Sequence, residues 1–289
     1  MRFKMRLAVI VFLLVIADQY SAAAEKYLCF AGDLTPVPKV DGIQIKVSPY
    51  HPEDFPADIR ECRLTIRNAA TGAKILRADD HVVSIVLTGQ DLNGDGVPDV
   101  VLEGYSGGNH GTSTYYVIST GDKPSLILKF ETDAVPAKFV RNLDSGKMEI
   151  HTWDGAFFML DGMAAAFSPY PDIYLQVDGT QLRDISAQHK ADYDKAIRGT
   201  RKSLPAADFD RFQVIDENWS NVGEEQAASS VVKIAVAYLY SGRELEAHAI
   251  IRQMWPAFDQ ERIWKLILKT RRRGILRYTR LSGSPRNAM

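Results

Sequence analysis

Nine residues, Asp91-Leu92-Asn93-Gly94-Asp95-Gly96-Val97-Pro98-Asp99, stand between two apolar, β-branched runs, Val82–Thr88 and Val100–Tyr105. Side chains of that kind suit a pleated, half-buried surface, so each run reads as a strand. The loop must then carry the chain from one strand into the next. Its oxygens fall at alternating positions: Asp91, Asn93, Asp95 and Asp99 offer side chains, and Val97 offers a backbone carbonyl. A hard cation such as Ca2+ takes about six to eight oxygen ligands, so the set predicts a calcium loop. Gly94 and Gly96 permit the tight turns, and Pro98 holds Val97 extended for the return to a strand. The competing reading is a polar hairpin turn, because Asn-Gly and Asp-Gly are turn formers.

The loop opens like an EF-hand, Asp-x-Asn-x-Asp-Gly, but Leu102 occupies the place of that motif's Glu, with Glu103 one residue too late. The flanks are strands where an EF-hand has helices. The nine residues instead resemble the calcium loop of integrin-like FG-GAP and VCBS repeats, which joins two β-strands. The resemblance implies Asp91, Asn93, Asp95, Val97 (through its carbonyl) and Asp99 as ligands. Val100 and Val101 stand where the following strand begins. It covers about twenty residues and one copy of the unit, whereas full propellers repeat it.

Residues 1–24 read as a secretory signal: Arg2, Lys4 and Arg6, then the apolar Leu7–Ala17, then Ala22-Ala23-Ala24 before Glu25. The alternative is an uncleaved anchor, for which the apolar run is short. No later run is long and apolar enough to span a bilayer. The expectation is a periplasmic or secreted protein. Losing Arg2, Lys4, Arg6 and Asp18 takes the net charge from −1 to about −3, which gives no argument for nucleic acid. In an exported chain the two cysteines, Cys29 and Cys62, are expected to pair as a disulfide.

The expected fold class is α+β. Residues 25–188 form an antiparallel β meander, a sandwich or partial propeller, and residues 189–289 form a helical domain. The β part shows paired runs around turn residues: Cys62–Arg67 and Ala73–Leu76, Thr114–Ser119 and Ser125–Phe130, Phe139–Leu143 and Lys147–Thr152, Ile173–Val177 and Gln181–Ile185. Helical spacing then covers Asp192–Arg201, Ala206–Ile215, Ser229–Tyr240, Glu244–Met254 and Phe258–Arg272, with a polar, linker-like stretch from Trp219 to Glu225. Ala235, Tyr238, Gly242 and Ala247 resemble positions of a tetratricopeptide repeat. The other reading of that pair is an ordinary helical hairpin packed on the β domain.

Two further stretches bear on function. Gly104–Thr114 is Gly-rich and holds His110 between Ser106 and Ser113, but lacks the Gly-x-Ser-x-Gly elbow of a serine hydrolase. It resembles secreted bacterial proteins in which a calcium-type loop and strand precede a Gly-Gly-x-His loop. Cysteines follow the histidine in those, and Gly111 and Thr112 follow it here. The remaining histidines show no zinc spacing, and His151 and Trp153 read as packing residues on one strand face. From Glu261 onward Arg262, Lys265, Lys269, Arg271, Arg272, Arg273, Arg277, Arg280 and Arg286 face a single acid. That end is either a surface for an anionic partner or a solvated helix end. The reading is a calcium-stabilised, non-enzymatic binding module for a protein or cell-envelope partner. The alternative is a calcium-dependent hydrolase built around His110. The two differ in whether His110 faces a second titratable group or nucleophile, or an exposed aromatic patch stands instead.

Overall fold

The structure is a computed structural model that describes residues 26–53, 60–108, 110–133, 135–213 and 221–279. The expected signal segment, Trp219, Arg280 and Arg286 lie outside them. The strands are β1 (Lys26–Phe30), β2 (Asp33–Leu34), β3 (Ile43–Tyr50), β4 (Glu61–Asn68), β5 (Lys74–Asp80), β6 (Val82–Gln90), β7 (Asp99–Tyr105), β8 (Thr112–Ser119), β9 (Ser125–Asp133), β10 (Lys138–Arg141), β11 (Met148–Trp153), β12 (Asp172–Asp178) and β13 (Gln181–Asp184). The helices are α1 (Lys190–Ser203), α2 (Ala206–Gln213), α3 (Val222–Tyr240), α4 (Glu244–Met254) and α5 (Gln260–Arg273). Strands come first and helices after, so the fold is α+β. None of the described helices is long and apolar enough to cross a membrane.

Among the described residues, three open antiparallel sheets hold the strands, in the orders β2-β1-β6-β7-β8-β9, β3-β4-β5 and β10-β11-β12-β13. Local chemistry sets the hairpins. At the β4–β5 turn Asn68 Oδ1 accepts the amides of Ala70 and Thr71 at 2.9 and 3.0 Å. Asn142 Oδ1 does the same for Asp144 and Ser145 at 3.0 and 2.9 Å before β11. In both turns the side chain replaces a backbone acceptor and commits the chain to reverse.

The six-stranded sheet is the middle layer. Strand side chains alternate between faces, and in β7 and β8 both sets are buried. Val100, Leu102, Tyr116 and Ile118 point to one side and pack with Leu64 and Ile66 of the three-stranded sheet. Val101, Tyr115 and Val117 point to the other and join Ile150, Leu175 and the helices in a second core. Within that core α3 is buried around most of its circumference, as expected of a helix that is apolar on nearly every side. The α3–α4 hairpin turns at Ser241 and Gly242, with Ala235 and Ala247 fully buried at its contact.

The stretch expected as a linker is different where it is described. Asn221 Oδ1 caps α3 by accepting the Glu224 amide at 3.1 Å, and Asn221 Nδ2 donates to Glu224 Oε1 at 2.7 Å. The polar residues at that point form an N-cap at the start of a helix. A second polar anchor lies deeper. Asp154, fully buried, accepts from Tyr240 Oη at 2.5 Å, from Ala156 N at 3.2 Å and from Ile275 N at 3.3 Å. It ties the end of β11 to α3 and to the chain beyond α5. A Cβ at Gly274 would stand 2.2 Å from its oxygens, so that position admits no side chain without a shift.

Cys29 and Cys62 are bonded, with Cα atoms 5.9 Å apart, and both are fully buried. The bridge joins β1 in the middle sheet to β4 in the three-stranded sheet across the first core. Closing a loop of this length stabilises by roughly 3–4 kcal/mol through the unfolded chain. Reduction under native conditions is expected to lower the urea midpoint accordingly, and unchanged denaturation curves with and without reductant would count against this.

Asp80 lies beneath Gly104, where a Cβ would stand 2.0 Å from its Oδ2, and that oxygen is buried without a hydrogen bond. Burial pushes its pKa up to about 7, the charges of Glu61, Asp79 and Glu103 add to the rise, and Lys129 opposes it. An unfolded Asp titrates near pH ~4. Between that value and about 7 the folded state therefore holds a proton that the unfolded state has lost. Stability should fall as pH rises through this window, by on the order of 2 kcal/mol. Denaturation at pH 5 and pH 8 should show this loss in the wild type and a smaller one in Asp80→Asn.

Candidate functional site

The loop between β6 and β7 is fastened at both ends. Leu92 is buried in the second core, and Arg141 donates to Gln90 Oε1. On the far side Thr120 donates its amide and hydroxyl to the Pro98 carbonyl at 3.1 and 2.7 Å. Between these anchors the chain winds around its own oxygens. Asp91 accepts from Gly94 N at 2.7 Å and Gly96 N at 2.8 Å. Asn93 Oδ1 accepts from Asp95 N at 3.1 Å, and Asp95 Oδ1 accepts from Val97 N at 2.8 Å. Gly94 and Gly96 have φ of +80° and +83° in open space, so their need for glycine is conformational.

Asp99 differs from the other three. It is fully buried, its Oδ2 accepts from Leu92 N at 2.8 Å, and its Oδ1 accepts no hydrogen bond. Burial pushes its pKa up to about 6. The Leu92 and Asn93 amides oppose the rise, while the charges of Asp95 and Asp91 add to it. A buried carboxylate met by backbone amides on its Leu92 side, beside two more carboxylates, suits a cation ligand. Leu102, where an EF-hand has its Glu, is buried in the first core, and Glu103 accepts from Tyr115 Oη at 2.9 Å away from the loop. A cleft of ≈ 330 Å³ opens beside the loop, lined by Asp91, Asn93, Arg141, Lys147, Gln176 and Arg183 among others.

A second feature lies on the excursion between β11 and β12. Trp153 stacks with Tyr170 at 6.0 Å, Tyr170 with Phe158 at 6.2 Å, and Phe158 meets His110 at 4.7 Å. Trp153 and Met159 are exposed by 45% and 47%, enough to leave apolar surface open to a partner. Met159 and Asp161 adopt φ of +48° and +57°, which non-glycine residues rarely accept without surrounding support. That support is present. Met159 N donates to Ser168 Oγ at 2.9 Å, Ser229 Oγ donates to the Phe167 carbonyl at 2.5 Å, and Arg262 clasps Asp161 at 2.6 and 2.7 Å.

His110 therefore packs on a ring. Ser106 Oγ accepts the Thr112 amide at 2.8 Å, and Ser113 is buried. Three basic residues of the C-terminal region, Arg262, Arg271 and Arg277, are engaged with the body, while Lys265, Lys269, Arg272 and Arg273 are exposed. Arg262 also binds Asp259, Arg271 lies over the Tyr240 ring at 5.3 Å, and Arg277 reaches Glu131 at 3.4 Å.

His151 does more than pack. Its Nε2 is 2.9 Å from Glu149 Oε2, and His189 Nε2 is 3.0 Å from the same oxygen. Glu149 and His151 sit two apart on β11, hence on one face. His189 comes from the turn before α1. Asn142 Nδ2 holds the other Glu149 oxygen at 2.7 Å, and Asp192 Oδ2 lies 3.4 Å from His189 Nδ1. Burial raises the Glu149 pKa, but the bonds from His151 and Asn142 and the charge of His189 outweigh it and hold the carboxyl below its ordinary value. Glu-x-His on one strand and His-x-x-Asp at a helix start were the readable signals, but nothing in the spacing joins them. Compared with known proteins, the chain matches no family model, no curated protein and no solved structure.

Proposed function

We propose that this chain is an exported, calcium-stabilised, non-enzymatic binding module for a protein or cell-envelope partner. The observation that carries the reading is the aromatic row Trp153–Tyr170–Phe158–His110, exposed at its two ends and half-buried at Tyr170 and Phe158, which the braced, conformationally strained excursion supplies with those two middle rings. Rings presented in this way offer a large apolar area at little entropic cost. His110, the base of a hydrolase reading, belongs to that row and rests on Phe158. The loop at Asp91, Asn93, Asp95, Val97 and Asp99 supplies the stabilising ion, in the manner of the FG-GAP and VCBS loops it resembles. Calcium is to offset the repulsion among three carboxylates and to satisfy Asp99 Oδ1.

The calcium part predicts a dissociation constant of roughly 0.1–1 mM. At about a hundred times that value the ion adds about 2.7 kcal/mol of stability. Thermal melts should rise by several degrees with calcium and fall with chelator. Asp95→Ala should lose the shift, and Glu103→Ala should keep it. Equal melting temperatures in calcium and chelator, with no heat of binding, would reduce the loop to a polar turn.

The binding part is checked with immobilised mature protein and a solubilised envelope fraction. Trp153→Ala should lower retention of the captured component at least tenfold while the melting temperature stays within a few degrees of wild type. Retention unaffected by Trp153→Ala and by Met159→Ser together would reject the aromatic row as the contact surface.

A further inference from the structure

Glu149, His151 and His189 place three donor atoms within 4.8 Å of one another. We propose that they bind a divalent transition-metal ion of the zinc class, a site separate from the calcium loop. Imidazole nitrogens suit zinc, copper, iron and nickel, whereas the all-oxygen set of the loop suits calcium. Zinc bound at about 2.0–2.1 Å with tetrahedral angles spaces its donors about 3.3 Å apart. Here Nε2 of His151 and Nε2 of His189 stand 2.9 and 3.0 Å from Glu149 Oε2. An opening of a few tenths of an ångström at each contact admits the ion.

The surroundings are those that orient metal ligands. Asn142 holds Glu149 Oε1 and leaves Oε2 as a single donor. Asp192 lies at His189 Nδ1 and directs Nε2 inward, the carboxylate–histidine arrangement found behind bound metals. Tyr174 stacks on His189 at 3.8 Å and meets His151 edge-on at 4.6 Å, which limits rotation of both rings. The Glu149 side chain is 3% exposed and that of His151 30%. The ion is thus held from the buried side, and a fourth position faces solvent for water or a ligand atom. Two ligands come from β11 and one from the turn before α1, so the ion fastens the four-stranded sheet to the helical layer.

The test uses the mature protein in saturating calcium. After dialysis against micromolar zinc and then buffer, elemental analysis should find one zinc per chain. X-ray absorption of that form should show two imidazoles in the first shell. His151→Ala and His189→Ala should each weaken zinc binding at least a hundredfold. His248→Ala and Asp95→Ala should leave it unchanged, which separates this site from the calcium reading. If an alanine variant fails to fold, the wild-type stoichiometry and absorption spectrum decide. Sub-stoichiometric zinc in the wild type, a shell without two imidazoles, or zinc uptake that survives loss of either histidine would overturn the proposal.

Discussion

Strands β7 and β8 have almost no solvent face, and both layers of the molecule depend on them. Alternate residues feed opposite cores. Val100, Leu102, Tyr116 and Ile118 serve the three-stranded sheet, while Val101, Tyr115 and Val117 serve the four-stranded sheet and helices. Full burial of a large apolar side chain contributes roughly 1.5–3 kcal/mol, so a slip of one residue in either strand would exchange both sets at once. Register here is overdetermined, and the loop that joins β6 to β7 inherits a fixed exit angle from it. The ends of that loop are further held by Leu92 and by the Thr120–Pro98 bonds.

Where the sequence was legible, the information was local. Hairpins announced themselves through turn residues such as Asn68, Asn142 and Asp178-Gly179. The helices announced themselves through their spacing, and the disulfide through the count of two cysteines. What stayed hidden was distance in space. His151 and His189 belong to different elements, and only the packing of α1 against the four-stranded sheet brings their rings to 5.6 Å. The polarity of Asn221 and Glu224 resembled a linker because a helix N-cap and a linker share composition. Geometry alone separates them. In the basic C-terminal run the sequence did not separate the cations that pair within the fold, Arg262 with Asp161 and Asp259 and Arg277 with Glu131, from those that stay exposed, such as Lys265, Lys269, Arg272 and Arg273.

Polar groups close the seams between layers. Asp154 joins β11, α3 and the segment after α5, and Glu103 with Tyr115 continues to the Ala137 amide at 2.7 Å. Such buried bonds add little net stability, but they are costly to leave half made. They therefore discriminate against near-native packings in which a helix or turn sits one step out of place. The braced excursion that carries Phe158 and Met159 stands on these same seams.

The position of β1 has a consequence for the order of assembly. It pairs with β6, Lys26 opposite Ile85, while β3, β4 and β5 intervene in sequence and belong to another sheet. A chain that emerges from its N-terminus presents β1 long before its partner exists. The three-stranded sheet is built of neighbouring hairpins and can close early. The middle sheet must wait for a contact of long sequence separation, whose closure entropy slows it. Cys29 is left beside an unfinished sheet for that interval, so formation of its bond to Cys62 would mark the moment the first core closes.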